Sequence, residues 1–557
     1  MEKRTILAFV LSFLVLLIWS HFFTTKQDKT VREKPPASHE QQKEINPDIS
    51  RAGDESSPAS SQGQVDQVSR ECPKIEEKEI IVDTPLYKAV FSNRGPSIRS
   101  FQLKNYRQTV DPDSPPIELV HLENNTADFF LISFSTQTSI PDKTMAYEAD
   151  HQNLMLENGG EAKDVVFHSA TPEGLLIRQS FRFYPDHYRI DMVMDVVNQS
   201  QSSKEGVFVT DMTTLPPKKK SGYSSFAGLA LYVNRKLTEL KIEKASEQPV
   251  INGQIDWMAY EDGYFMSAII PSEISQRTFK GSLLPSGLLK GSCLSPPISI
   301  MPSQQISSQY TLYFGPRDLA KLKEVGRDLD RAVEFGWFDI IAKGLLFVLV
   351  YFNKFINNYG VSIILLTVLI KILFAPLTHK SYKSMKEMQK LQPIMAKIRE
   401  RHKDDKQKMN QEMMALYKTY KVNPMSGCLP MIIQIPVFIA LFRLLGSSIE
   451  LRHAPFFFWI NDLSAPDRLF SFSFAIPFMT PPYGIPVLTL LMGASMFIQQ
   501  KMTPTPGDPA QAKIMLFLPL IFTFMFINFP SGLVLYWFTN NILSIGQQYL
   551  ILKKSSA

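Results

Sequence analysis

The sequence predicts a polytopic α-helical membrane protein of six spans that carries an extracytoplasmic all-β sandwich domain. Three observations predict it. Apolar segments of membrane length fill much of residues 336–552, and a span needs roughly 20 apolar residues. Between Ile75 and Phe314 the apolar residues alternate with a period of two, as half-buried strands require. The loop 379–423 carries 12 Lys/Arg against 5 Asp/Glu, the bias of a short cytoplasmic loop.

Composition narrows the function classes. The chain has 557 residues and a formal net charge of +6, too mild to imply direct nucleic-acid binding. Mean hydropathy near zero averages a polar stretch, 24–335, with an apolar one, 336–552. No P-loop, dinucleotide fingerprint, zinc-type pair, HExxH or GxSxG occurs, so no cofactor and no catalytic centre is expected. Cys72, Cys293 and Cys428 make no metal framework. Cys72 and Cys293 as a disulfide, and the same two as free thiols, both fit an exported domain.

Met1-Glu-Lys-Arg precedes the apolar run Ile6–Phe23. No small-x-small site follows, so the run reads as an uncleaved signal anchor with its amino end inside. Residues 24–74 are rich in Lys, Glu, Gln, Ser and Pro. They bury too little to offset ordering entropy and read as a disordered tether. Strand pairs follow. Tyr87–Asn93 and Ser97–Leu103 flank Arg94-Gly-Pro, and Phe181–Tyr184 and Tyr188–Val197 flank Pro185-Asp186. Asp318–Phe335 reads as one helix, with Leu319, Leu322, Val325, Leu329 and Val333 at helical spacing. Ile340–Phe355 has only nine uninterrupted apolar residues, Gly344 to Phe352, and reads as an amphipathic helix lying in the interface. Five spans follow, near 359–378, 428–447, 484–501, 513–529 and 531–552, the last two joined by a tight turn at Pro530-Ser531-Gly532.

Charge orients these spans. The basic loop belongs inside, the nearly neutral 448–483 outside, and Lys553-Lys554 inside. Counting 340–355 as a seventh span would put the basic loop outside.

The most informative residue is Lys371, the one charge in the apolar run Gly360–Thr378. A lysine at that depth costs about 2.5–3.5 kcal/mol on insertion scales. Its ammonium should therefore meet protein or water, although the stem can also snorkel toward headgroups. Thr367 and Thr378 share its helix face. Tyr536, Asn540, Ser544 and Gln547 form a polar stripe on the last span, beside Trp537, Asn541 and Gln548. Gln434 and Gln499-Gln500 add polar groups to two further spans. A shared hydrated cavity and interhelical hydrogen-bonding glue both account for them. In the basic loop, Met385, Met388, Leu391, Met395 and Ile398 form one apolar stripe, and Met409, Met413, Leu416 and Tyr420 another. Asp404-Asp-Lys-Gln supplies an Asp-x-x-Gln start for the second helix. This is a basic helical hairpin. It is either a solvated pair of helices or a landing platform for a nascent chain, a ribosome or a targeting factor, for which flexible methionines suit varied apolar partners.

Several long strings then match a family. Asn423-Pro-Met-Ser-Gly-Cys-Leu-Pro followed by Gln434-Ile-Pro-Val-Phe resembles the third span of the YidC membrane protein insertase family. So do Asp404-Asp-Lys-Gln, Gln411-Glu-Met-Met-Ala-Leu-Tyr-Lys, Glu450-Leu-Arg-His-Ala-Pro-Phe and Phe529-Pro-Ser-Gly-Leu-Val-Leu-Tyr-Trp. The resemblance covers most of 359–552 and implies the Gram-negative form. Its domains would be a signal anchor (1–23), a tether (24–74) and a periplasmic domain (75–335) resembling the β-supersandwich of sugar enzymes. An interfacial helix (336–358), a five-helix insertase core (359–552, including the hairpin 379–423) and a short cytoplasmic tail (553–557) would follow. The implied function is insertion and folding of nascent inner-membrane proteins through a hydrophilic groove, alone or with the Sec translocon. The ribosome, the signal recognition particle machinery and the phospholipid bilayer are the other implied partners. Lys371, Thr367, Gln434, Gln500, Tyr536 and Trp537 are the expected groove residues, and Met388, Met395, Asp404 and Met413 the expected hairpin residues. The family usually places an arginine where this chain has Lys371. The charge is kept, but the planar guanidinium fork is not. Phe470–Tyr483 is longer than the family's usual outer loop. The tail ends soon after Lys554, so a strong tail-mediated ribosome contact is not expected.

Overall fold

The structure, a computed structural model, describes residues 77–122, 128–136, 145–217, 226–403, 405–420, 422, 429–502 and 509–554. The expected anchor and tether, Cys72, Asp404, Cys428 and the motif 423–428 lie outside these residues.

Period-two patterning folds as it must. Leu175–Phe183 and Arg189–Asn198 pair antiparallel with Ile190 opposite Phe183, and their inward residues are buried in strict alternation. Tyr87–Ser92 and Ser97–Arg107 pair in the same way, with a bulge at Val90/Phe91. Among the described residues the domain is built from a five-stranded and a fourteen-stranded sheet. Rings lock the two faces together. Phe91 of the smaller sheet lies 5.3 Å from Phe181 and Phe101 lies 4.9 Å from Phe314, centroid to centroid. The long strand Val250–Asp262 pairs with Gln276–Leu283 through its first half and with Phe265–Pro271 through its second. One strand thereby turns the corner between two parts of the larger sheet. Cys293 is buried, and among the described residues it forms no disulfide.

Asp318–Phe335 is not one helix. Helix α1 (Leu319–Val325) is capped by Asp318, whose carboxylate accepts from Ala320 N and Lys321 N. It stops because Gly326, Arg327 and Asp328 all take positive φ, which no right-handed helix tolerates. A short 3₁₀ turn, Leu329–Ala332, follows. The spaced Leu322, Leu329 and Val333 are buried nonetheless, because each piece still turns its apolar side to the core. Arg317 pins this linker by donating to Gly263 O at 2.8 Å and to Ala332 O.

Helix α2 (Asp339–Ile356) buries Ala342, Leu346 and Leu349 and leaves Ile340, Phe347 and Phe355 exposed. Helix α3 (Tyr359–Arg401) is 43 residues long. The first core span and the first hairpin arm are thus one continuous helix, with Pro376 and Pro393 inside it. Helices α4 (Lys406–Thr419), α5 (Leu429–Ser447), α6 (Val487–Met502), α7 (Pro509–Phe526) and α8 (Ser531–Lys554) complete the core. Among the described residues only α3 is both long and apolar enough to cross a membrane by those criteria alone; Ile433–Ser447 and Met515–Phe526 are apolar but shorter. The expected count of six spans is therefore not established by helix length. Helix α6 packs between α7 and α8, and Thr523 of α7 fills the space where Gly493 has no Cβ. Gly360 likewise admits the Phe456 ring at the start of α3. One continuous buried core runs from the β domain into the helices.

Glu261 is fully buried, with Arg317 Nη2 3.0 Å from its carboxylate. Burial outweighs that attraction and, with Glu239 nearby, pushes the Glu261 pKa up to about 7. An acid raised above its unfolded value near 4.5 holds its extra proton in the native state. Its stabilisation is complete below pH 4.5 and is lost as pH rises toward 7, by about 3 kcal/mol. Glu261→Gln should flatten this dependence. Urea midpoints at pH 5 and 7, read by hydrogen exchange of Val250–Asp262, check it; equal slopes in both proteins would refute it.

Candidate functional site

Lys371 is half-buried, and its ammonium donates to Ser544 Oγ of α8 at 2.7 Å. The next two residues on α3, Ile372 and Leu373, are exposed, so the lysine turns inward while its neighbours face out. Ser544 Oγ in turn donates to Asn540 O at 2.6 Å. From α5, Gln434 Nε2 donates to Tyr536 OH at 3.1 Å and to Asn540 Oδ1 at 3.0 Å. Tyr536, Asn540 and Ser544 recur every fourth residue and so lie in one line along α8. The result is a polar seam about 12 Å long where α3, α5 and α8 meet.

A second polar face of α8 points elsewhere. Asn541 Nδ2 donates to Ser495 Oγ of α6 at 3.0 Å, and Gln548 Nε2 to Met502 O at 2.6 Å. These are buried interhelical bonds with no cation among them.

The other expected groove residues divide. Thr367 is fully buried and returns its hydroxyl to Ile363 O at 2.7 Å, so it packs rather than joins the seam. Thr378 does the same with Phe374 O. Trp537 meets Phe438 edge-on at 4.6 Å and Phe526 at 5.1 Å, which makes it part of an aromatic block. Gln500 lies on α6, and among the described residues nothing accepts from its buried Nε2. Asn540 and Ser544 are the contacts that matter most. Their four-residue spacing from Tyr536 was the available signal, but it could not say which face of α8 met Lys371.

The seam is closed toward the β domain. Beyond Tyr536 stand Trp537, Phe438, Phe526 and Phe529. The start of α8 is clamped by Ser531 N to Ala465 O and Gly532 N to Leu463 O, at 2.7 and 2.9 Å. Arg452 ties this outer layer to the β domain, donating to Arg107 O at 2.7 Å beside the Phe265 ring. An apolar crevice of about 430 Å³ between α6 and α7, lined by Gly493, Phe497, Leu516 and Leu520, holds no charged group and is separate from the seam.

At the opposite end the hairpin forms, with corrections. Its second helix is capped by Asp405, which accepts from Lys408 N at 3.0 Å. Asp404 lies outside the described residues. Leu391, Met395, Met413 and Leu416 are buried against one another, with Met388 and Met409 packed around them. The methionine stripes are therefore the hairpin's own core and not an open apolar platform. The outward surface holds Met414, Tyr420 and the basic side chains.

Gln434→Leu should strand Tyr536 and Asn540 without their partner, a loss of about 0.6–1.7 kcal/mol. A lowered thermal midpoint of the detergent-solubilised protein checks it, and an unchanged midpoint would show that the contact is not structural. Met395→Ala should cost about 2–5 kcal/mol within the hairpin. Faster hydrogen exchange over 406–419, with α8 unchanged, is the expected readout.

Comparison with known proteins bears on both halves of the chain. Residues 351–557 match the family described as 60Kd inner membrane protein, and residues 79–348 match the YidC periplasmic domain. The chain is 41% identical over 560 residues to the membrane protein insertase YidC of Pelobacter propionicus, covering 99% of each. It is 42% identical over 565 residues to that of Syntrophus aciditrophicus, covering 100% of both. A solved active YidC insertase with its first transmembrane domain resolved is 18% identical, with a TM-score of 0.36 over 85% of this chain and 93% of that one. With the β domain and the helical core each matched and the relatives aligned end to end, the chain belongs to the YidC family of membrane protein insertases.

Proposed function

We propose that this insertase receives its clients at the seam around Lys371, and that the contact between Lys371 and Ser544 marks a polar path into the bilayer. The observation that carries this reading is an ammonium held at 2.7 Å by a serine hydroxyl on a helix whose adjacent side chains face outward. The partners around it are neutral. No carboxylate neutralises the charge among the contacts described, so it is free to attract one from a client. At about 6 Å in an effective dielectric near 20, that attraction is about 3 kcal/mol.

In this reading the chain crosses the inner membrane six times, with both termini inside, the β domain outside and α2 lying in the interface. Helices α6 and α7 have 16 and 18 residues, about 24–27 Å of helix. They are short for a hydrocarbon core of about 30 Å, which suits a locally thinned bilayer. A client segment entering from the cytoplasmic side slides its apolar face into lipid while its acidic, translocated part is drawn toward Lys371. The aromatic block around Trp537 keeps the path closed outside. Hydrophobic transfer and the membrane potential, about 2.3 kcal/mol per charge per 100 mV, supply the driving force, and no covalent step is involved. The basic outer surface of the hairpin is offered to the ribosome or the signal recognition particle machinery, and the core works alone or beside the Sec translocon.

Lys371→Ala should slow insertion of clients with acidic translocated segments about tenfold, or ~1.4 kcal/mol. Lys371→Arg should insert them normally, since the charge is retained. Complementation of insertase-depleted cells and protease protection of such a client are the measurements. Full activity of the alanine form would sink the groove reading.

A further inference from the structure

The segment Leu469–Ile485 has no part in the seam. It forms a small hairpin whose strands, Leu469–Phe472 and Tyr483–Ile485, pair antiparallel. Its aromatics point outward: Phe470 is 69% exposed, Phe474 64% and Phe478 87%. Neighbouring Phe458 is 92% exposed. Isolated exposed apolar residues need no explanation, but four large rings on one outer layer do.

The backbone adds a second observation. Phe458, Phe470 and Phe478 all take positive φ, between 56° and 64°. That region is costly for a bulky residue and favours glycine. Three of the four exposed rings are thus held in a strained conformation that displays them. Strain of this kind persists where the surrounding structure over-determines it and the display is used.

The base of the hairpin is rigid. Arg468 donates to Pro482 O and to Ile527 O, both at 2.8 Å. Asn528 accepts from Thr480 N at 2.9 Å and donates to Phe478 O at 2.8 Å. Asp467, next to Arg468, caps α6 by accepting from Leu488 N and Thr489 N. The hairpin is therefore fastened to the outer ends of α6 and α7 and cannot swing away from them. It is also uncharged. No charged residue occurs between Arg468 and Lys501. Exposed apolar residues recur from Phe470, Phe474 and Phe478 to Ile485 and on to Leu490 and Leu491 of α6.

We infer that this hairpin is an interfacial anchor, inserting Phe470, Phe474 and Phe478 into the headgroup boundary of the outer leaflet. The inference rests on the reading that α6 and α7 span the membrane with the β domain outside. Lipid fits better than a protein partner because the surface continues the lipid-facing side of α6 and offers no charge for register. The anchor fixes the height and tilt of α6, α7 and the loop that clamps the start of α8.

Nitroxide labels on the full chain in phosphatidylethanolamine–phosphatidylglycerol vesicles test it. Cys72 and Cys428 are changed to Ser and Cys293 to Ala. Single cysteines replace Phe474, Phe478, the exposed Ile274 of the β domain and the outward Leu516 of α7. Labels at 474 and 478 should collide with oxygen several-fold more, relative to a water-soluble nickel chelate, than the label at 274. The label at 516 should be at least as oxygen-biased. If 474 and 478 match 274 while 516 stays oxygen-biased, the anchor is overturned and the spanning reading stands. If 516 also behaves like 274, the spanning reading fails and the anchor with it. A label at 478 shielded from both reagents would mean a protein occupant and would overturn the proposal as well.

Discussion

An ammonium group on a helix built for lipid constrains the whole helical core. Lys371 cannot face hydrocarbon without a penalty of about 2.5–3.5 kcal/mol, so α3 must turn that face toward a polar neighbour. Only a helix with hydroxyl or amide groups in line can receive it. In α8, Ser544 meets the lysine, and Asn540 and Tyr536 continue the line to Gln434 of α5. These bonds fix which sides of α3, α5 and α8 face one another. Interhelical polar bonds contribute modestly to membrane-protein stability, so the seam's main effect is on orientation rather than on strength.

The two ends of the seam are treated differently. Toward the β domain, aromatic rings and backbone clamps pack it shut, and Arg452 and Arg317 fasten the outer layer and the linker to the domain above. Toward the hairpin, the continuous helix α3 carries the core beyond the membrane-length segment, and the hairpin buries its own methionines. The seam thus meets packed rings at one end and holds its charge nearer the other.

Much of this was legible beforehand because hydrophobic periodicity is local. The alternation in Phe181–Tyr184 and Tyr188–Val197 and the helical spacing of Met388, Leu391 and Met395 follow from which side of a strand or helix must be dry. Lys371 stood out for the same reason, as a charge with no local partner. Errors arose where the outcome depended on neighbours in space. Leu319 to Val333 kept helical spacing across a break that three positive-φ residues impose. Thr367 shared a face with Lys371 yet is enclosed by packing and bonds its own helix. The methionine stripes left a solvated helix pair and a landing platform both open, and only the packing shows that they cover each other.

The sequence by itself determined a membrane protein with a β domain, singled out its one charge in an apolar run, and carried its family. Each of these depends on transfer free energies or on residue strings that need no partner to be read. Only the tertiary structure decided that Ser544 meets Lys371 and Asn540 meets Gln434 while Thr367 bonds its own helix, and that the outer aromatics are held outward on a fixed base. Those outcomes depend on helix rotation and on which loop carbonyls Arg468 and Asn528 reach. Both are settled by contacts between residues far apart in the chain, which no local pattern encodes.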